Sequence, residues 1–226
     1  MSVRKQTMFR AMLPNGGGSG PLPPQGLSLD IFTSGTNSTD TSSNTVSNYN
    51  QYFRYSCMHM FISDTELNAA NSGSKTLTGI QVEGASSTST DSCPDMRIYV
   101  AHTNEVFLST LMETDISQSS SFSYFDRAQV YDGTEFLDSG WNTIDFDTNF
   151  VYDGTSNVVI TMEKRYGFYD VGGSRWKALY GSRFNSFRSA VYNSDSTASS
   201  NFPQSSSAMT TLGGNTQNTI NLKINY

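Results

Sequence analysis

Charge, cysteine and histidine are all scarce in this 226-residue chain, and each shortage closes off a class of function. Cys57 and Cys93 are the only cysteines, too few for a disulfide framework and wrongly spaced for a zinc ligand set. Both fall in segments that read as strand or strand edge, so folding does not call for oxidation. Charged residues make up 15% of the chain and the net charge is −6, which denies it the clustered Lys and Arg excess that nucleic-acid phosphates require. No run of about 18 apolar residues is present to cross a bilayer as a helix. No secretory signal is legible either, because Arg10 interrupts the stretch after Gln6-Thr7-Met8-Phe9 where an apolar region would have to lie. If Met1 is the natural start, the expectation is synthesis in a cytoplasm and export only as part of something larger.

Ser, Thr, Asn and Gly are abundant instead, a balance that suits many strands joined by polar turns. The length fits one large β domain of roughly 200–250 residues. Residues 1–26 hold Gly16-Gly17-Gly18-Ser19-Gly20 and then Pro21, Pro23 and Pro24, which read as an extended arm. Arg4, Lys5, Phe9 and Arg10 are its candidate assembly residues, since no acidic residue precedes Asp30, although a solvated tail is the plainer reading of such a terminus. The folded domain is expected over 27–226.

Period-two alternation marks the strands. Leu27, Leu29 and Ile31 alternate with Ser28 and Asp30. Over Tyr52–Ile62, Tyr55, Cys57, His59 and Phe61 face one way and Met58, Met60 and Ile62 the other, as in a strand covered on both faces. Ser63-Asp64-Thr65-Glu66 has the form of a capping box and predicts a short helix through about Ala70. Strands follow at Thr76–Val82 and Met96–His102, while 103–130 is less regular. Gly140–Phe150 is the clearest strand, with Ile144 and Phe146 inward. Tyr152–Asn157 supplies a turn and Val158–Met162 is expected to return as its hairpin partner. Segments 175–180 and 184–192 offer one or two further strands, and Thr219–Tyr226 closes the chain. About eight or nine strands with one short helix predict an all-β, two-sheet jelly-roll sandwich.

Candidate chemistry is thin. His59 and His102 are both placed on inward-looking faces, where they would approach one another across the sandwich. A metal shared with a carboxylate is the sharper reading, and satisfied core histidines the better one. No Gly-x-Ser-x-Gly elbow supports a serine triad. Asp145 and Asp147, roughly 6–7 Å apart by strand rise, have a spacing open to glycosidase chemistry, but alternate exposed positions of a sheet carry such charges routinely. Asp132-Gly133 and Asp153-Gly154 read as turns. One of them could hold a structural calcium, with no ligand set to choose, and no cofactor is otherwise expected. Tyr166, Phe168, Tyr169 and Trp176 flank Gly172-Gly173 and are a candidate binding surface, either for stacking on a sugar or as a core or subunit interface. Trp141 reads as core.

The order of several segments carries a resemblance. Tyr55, the capped Ser63–Ala70 helix, Gly79-Ile80-Gln81-Val82, Ile98-Tyr99-Val100-Ala101-His102-Thr103, Val130-Tyr131-Asp132-Gly133, Gly140-Trp141-Asn142-Thr143-Ile144 and Phe150–Val158 together resemble the β-sandwich modules of Bacteroidetes surface and secreted proteins. The resemblance covers roughly residues 50–205 and is more specific in its second half. It implies a jelly-roll, adhesion-type domain. Members are exported behind a signal, whereas here the module follows a Gly/Pro arm. That departure points to a non-enzymatic virion protein of a tailed bacteriophage, a capsid decoration or neck or tail component assembled in the host cytoplasm. Its partners would be other virion proteins or copies of itself. A glycan-binding or adhesion module at a bacterial cell surface is the alternative.

Overall fold

The computed structural model describes residues 27–31, 36–38, 55–84, 91–105, 124–137, 140–164, 181–183, 189–194, 214–216 and 218–226. In chain order the elements are β1 (Ser28–Asp30), β2 (Thr36–Ser38), β3 (Tyr55–Ile62), α1 (Asp64–Leu67), β4 (Lys75–Gly84), β5 (Asp91–Thr103), β6 (Tyr124–Leu137), β7 (Gly140–Tyr152) and β8 (Asn157–Lys164). They continue with β9 (Gly181–Arg183), β10 (Ser189–Ser194), β11 (Gly214–Thr216), β12 (Asn218–Ile220) and β13 (Leu222–Asn225). The arm and the aromatic segment 165–180, and with them Arg4, Lys5, Phe9, Arg10, Tyr166, Phe168, Tyr169 and Trp176, lie outside the described residues.

A four-stranded sheet runs β1-β13-β4-β7, a six-stranded sheet β11-β10-β3-β8-β5-β6, and a small third sheet β12-β9-β2. Every pairing is antiparallel. The two large sheets carry eight strands that pair as nested couples: β1 with β13, β3 with β8, β4 with β7, and β5 with β6. First pairs with last, second with second-last, and so inward, so the eight strands behave as one long hairpin wound over two sheets. That winding is the jelly roll, and β10 and β11 extend its larger sheet by one edge. The expected fold class is therefore observed.

Alternation decides which face each strand buries. Met58, Met60 and Ile62 of β3, Met96, Ile98 and Val100 of β5, and Val158, Ile160 and Met162 of β8 meet Ile80 and Val82 of β4, Ile144 and Phe146 of β7, and Leu222 and Ile224 of β13 in one core. Each fully buried aliphatic side chain is worth about 1.5–3 kcal/mol of transfer free energy, so the sandwich stands on this layer. The capping box forms as read: the Ser63 N–H donates to Glu66 Oε2 at 2.9 Å and the Glu66 N–H to Ser63 Oγ at 3.3 Å. The helix it starts is one turn long and ends at Asn68, short of Ala70, with Leu67 buried beneath it.

Four expectations are corrected here. β7 and β8 are not hairpin partners: β7 pairs with β4, whereas β8 lies between β3 and β5, so the chain crosses from one sheet to the other at 153–156. Asp132-Gly133 is not a turn but part of the long strand β6, which begins inside the stretch that reads as irregular. The closing strand is two, β12 and β13, broken at Asn221. Trp141 is not core. It lies on the opposite side of β7 from Ile144 and Phe146, across from Glu83, and is 42% exposed. Bulges between β5 and β6 accompany two aspartates at positive φ, Asp95 (53°) and Asp126 (52°), a conformation aspartate tolerates better than most residues.

Candidate functional site

The two histidines do not meet. His59 points away from the core, on the outer face of the six-stranded sheet, while His102 points into the sandwich. The face that holds His59 is nonetheless buried: Cys57, His59 and Phe61 of β3, and Val159, Thr161 and Glu163 of β8, are all shielded from water. Register puts Cys57, Glu163 and Arg97 in one row across the sheet and His59, Thr161 and Tyr99 in the next. Arg127 stacks on the Tyr99 ring at 4.4 Å.

Within those rows Cys57 Sγ lies 3.4 Å from His59 Nε2, and His59 Nδ1 lies 2.8 Å from Thr161 Oγ1. A thiol, an imidazole and an orienting hydroxyl in series have the outline of an activated nucleophile. Electrostatics decide against that role. Burial, helped by the charge of Arg127, lowers the His59 pKa to about 3, too weak a base to take a proton from a thiol of ordinary pKa near 8.5. The series is a buried hydrogen-bonded chain that fixes β3 against β8.

His102 closes one end of the core. Its ring packs against Phe125, Phe150 and Tyr152, with centroids 5.3, 4.8 and 6.1 Å away. The Asp153 N–H donates to His102 Nε2 at 3.3 Å, and Nδ1 lies 3.5 Å from Asp126 Oδ2, outside hydrogen-bond geometry. Asp153 opens the turn the sequence marks. Its carboxylate accepts from the Thr155 and Ser156 amides at 2.8 Å each and from the Ser156 hydroxyl at 2.6 Å. Partial burial opposes ionisation, but these bonds and His102 outweigh it and hold the carboxyl at about 2. Gly154 has φ +90°, and a Cβ there would stand 2.6 Å from the Gly73 carbonyl carbon.

Lys75, which composition and spacing do not single out, is buried beside this turn. Its ammonium donates to Asn68 Oδ1 and the Gly73 carbonyl, both at 3.1 Å, and to the Asn71 carbonyl, and lies over the Tyr152 and Tyr226 rings. A cation inside a ring of oxygens is thus supplied by the chain itself.

Asp145 and Asp147 are exposed, as a solvated sheet face predicts. Asp147 Oδ2 accepts the Asp132 N–H at 3.1 Å across the junction of β7 and β6. Nearby, burial and then the charges of Asp145 and Asp147 raise the Glu135 pKa against a hydrogen bond from the Tyr131 hydroxyl. Among the described residues no group of three or more His, Cys, Asp and Glu side chains has the geometry of a metal site.

Among the described residues, the outer face of the four-stranded sheet is open to water. Trp141 stands at its end, with the Lys223 ammonium 4.2 Å from the ring and 3.5 Å from Asp30. Asn221 donates to Glu83 at 2.7 Å and Gln81 to Asn225 at 3.0 Å. The result is a flat ladder of amides and charges with one large aromatic. Its signal was in the sequence, since Trp141 is three residues from Ile144 and hence of opposite parity.

No family model, no curated protein and no solved structure matches the chain. The fold and this geometry define its class: a jelly-roll β-sandwich with one solvent-facing polar sheet.

Proposed function

We propose that this chain is a structural subunit of a bacteriophage virion, a capsid decoration or neck or tail component, that works by assembly. Jelly rolls build capsid subunits and lectins alike, so the fold supports the class without choosing within it. The observation that carries the reading is where the arm joins the body. Leu27 and Tyr226 exchange backbone hydrogen bonds of 2.8 and 2.9 Å at the rim of the four-stranded sheet, so Leu27, the residue that follows the 1–26 segment, sits at the edge of the sandwich. They hold three cations and no acid; taking +3 from the chain's −6 leaves −9 for residues 27–226. A cationic arm on an acidic body favours contact with a neighbouring copy, and a symmetric assembly needs only such complementary patches.

Light scattering on the full chain and on a variant lacking residues 1–26 tests this. A multimer that dissociates without the arm, and that weakens between about 0.05 and 0.5 M salt as screening predicts, supports it. Monomers in both cases overturn it.

A second reading, a glycan-binding module, is favoured by one feature: the exposed Trp141 in its ladder of amides and carboxylates, a surface suited to the apolar face and hydroxyl rim of a sugar. Binding on a polysaccharide array that is lost in Trp141→Ala would support it, and silence of the native chain on the array would remove it.

A further inference from the structure

We propose that His102 is an acid-operated latch: when its imidazole takes up a second proton, the Asp153 amide is expelled and the 153–157 turn is released from the end of the sandwich. This inference is independent of the assembly reading.

The tautomer follows from the bonding. Nε2 accepts the Asp153 N–H, so in the neutral ring the proton must sit on Nδ1. That nitrogen is buried and has no acceptor in hydrogen-bond geometry, with the carboxylate Oδ2 of Asp126 3.5 Å away. One end of the ring is thus satisfied and the other is not. Protonation reverses the balance. The added charge turns Asp126 into a full ion-pair partner at Nδ1, while Nε2 becomes a donor facing the Asp153 N–H, another donor. Two donors cannot share that bond, so the amide must withdraw. The Asp153 carboxylate, which already feels the charge of His102, is then drawn toward the new donor in competition with its hold on Thr155 and Ser156.

The turn so loosened is a junction of three segments. The Asn68 amide donates to the Gly154 carbonyl at 3.0 Å, the Asp64 N–H to Asn157 Oδ1 at 2.8 Å, and the Asn157 amide to the Glu105 carbonyl at 2.7 Å. Gly154 itself seats against the Gly73 and Ser74 backbone. Releasing 153–157 therefore frees α1, the loop to Lys75, and the chain after β5 together.

The charged and titratable groups around the ring come from each neighbouring element. Asp126 from β6 and Asp153 from the turn are the acidic neighbours. Lys75 from β4 lies on the Tyr152 ring that both contact. Glu105 lies three residues along from His102, and Val158, opposite on β8, carries no charge.

The test is an NMR titration of the full, isotope-labelled chain from pH 8 downward, following the His102 ring nitrogens and amide exchange at Asp153 and Gly154. As Nε2 passes from acceptor to donor, protection of the Asp153 amide is expected to fall at least about tenfold in the same step, while that of Ile160 in the core stays. His102→Gln, which cannot titrate, should remove the step; should that variant fail to fold, Asp126→Asn, which removes the ion-pair partner at Nδ1, should displace the step along the pH axis. Titration of His102 with an unchanged Asp153 amide overturns the latch. So does global unfolding before His102 takes its proton.

Discussion

Two residues show how local necessity is met without sequence-wide signals. Gly154 has both a positive φ and no room for a Cβ, so either alone would select glycine. Gly154→Ala must move the Gly73–Ser74 backbone, and a loss of about 3 kcal/mol in urea unfolding is expected. An alanine variant as stable as the parent would mean that the two turns do not touch. Lys75 makes the complementary case. Its ammonium satisfies three oxygens at once, and Lys75→Met leaves all three without their donor, at a cost of about 2 kcal/mol. Burial also lowers the Lys75 pKa, so at alkaline pH below the ordinary lysine value the unfolded chain holds a proton that the fold has lost, and stability should rise with pH across that window. Comparing parent and Lys75→Met melts at pH 7 and pH 10 checks both statements, because the gap between them should widen at the higher pH.

Elements were legible from the sequence where a polarity contrast existed and illegible where it did not. In β7, exposed Thr143, Asp145 and Asp147 against buried Ile144 and Phe146 set the parity, Trp141 included, and it lapses only around Thr148, where the register with β4 shifts. In β3 both faces are apolar, so nothing in Cys57, His59 and Phe61 against Met58, Met60 and Ile62 says which side is the core. His59 and His102 were assigned one interior for that reason, when two buried layers exist. Turn chemistry was legible at Asp153-Gly154 and misleading at Asp132-Gly133, where strand pairing with β5 overrides a local preference. Pairing itself was not legible: alternation encodes a face, not a neighbour, and so it could not tell that β7 joins β4 and not β8. Of the candidate site, the exposed carboxylates were read correctly, while Lys75 gave no pattern at all.

The outer layer of β3 has a measurable signature. With its pKa at about 3 in the fold and near 6.5 when unfolded, His59 stays neutral in the native state while the unfolded chain binds a proton between those values. Stability must then rise with pH across that window, and acidification from about 6.5 toward 3 must cost it. His59→Gln should remove up to one proton's share of the slope, about 1.4 kcal/mol per pH unit, from urea unfolding measured between pH 4 and 6. An unchanged slope would place His59 in water and not between β3 and β8.

At the scale of the molecule, nested pairing makes the last strand structural to the first sheet. β13 is not an edge: it lies between β1 and β4, with Leu222 and Ile224 in the core opposite Val82 and Ile80. Without it β1 has no partner and the inner face of β4 loses its cover on one side. Two strands, β4 and β7, would then have to close a sandwich against six. Deleting residues 218–226 is therefore expected to abolish cooperative unfolding and collapse the dispersion of the amide NMR spectrum. Deleting 1–26, which precedes every strand of the nested pairs, should leave both intact apart from any loss of self-association. The same topology sets the kinetics. The outermost pair joins residues 28–30 to 223–225, so its closure waits on nearly the whole chain. High contact order of this kind slows folding to the millisecond-to-second range or beyond, and β1·β13 contacts should form after the transition state. Stopped-flow refolding of Leu222→Ala and Ile160→Ala separates the cases. Leu222→Ala should act on the unfolding rate, whereas Ile160→Ala, in β8 between β3 and β5, should slow folding. The opposite pattern would mean that the sandwich closes from its ends inward.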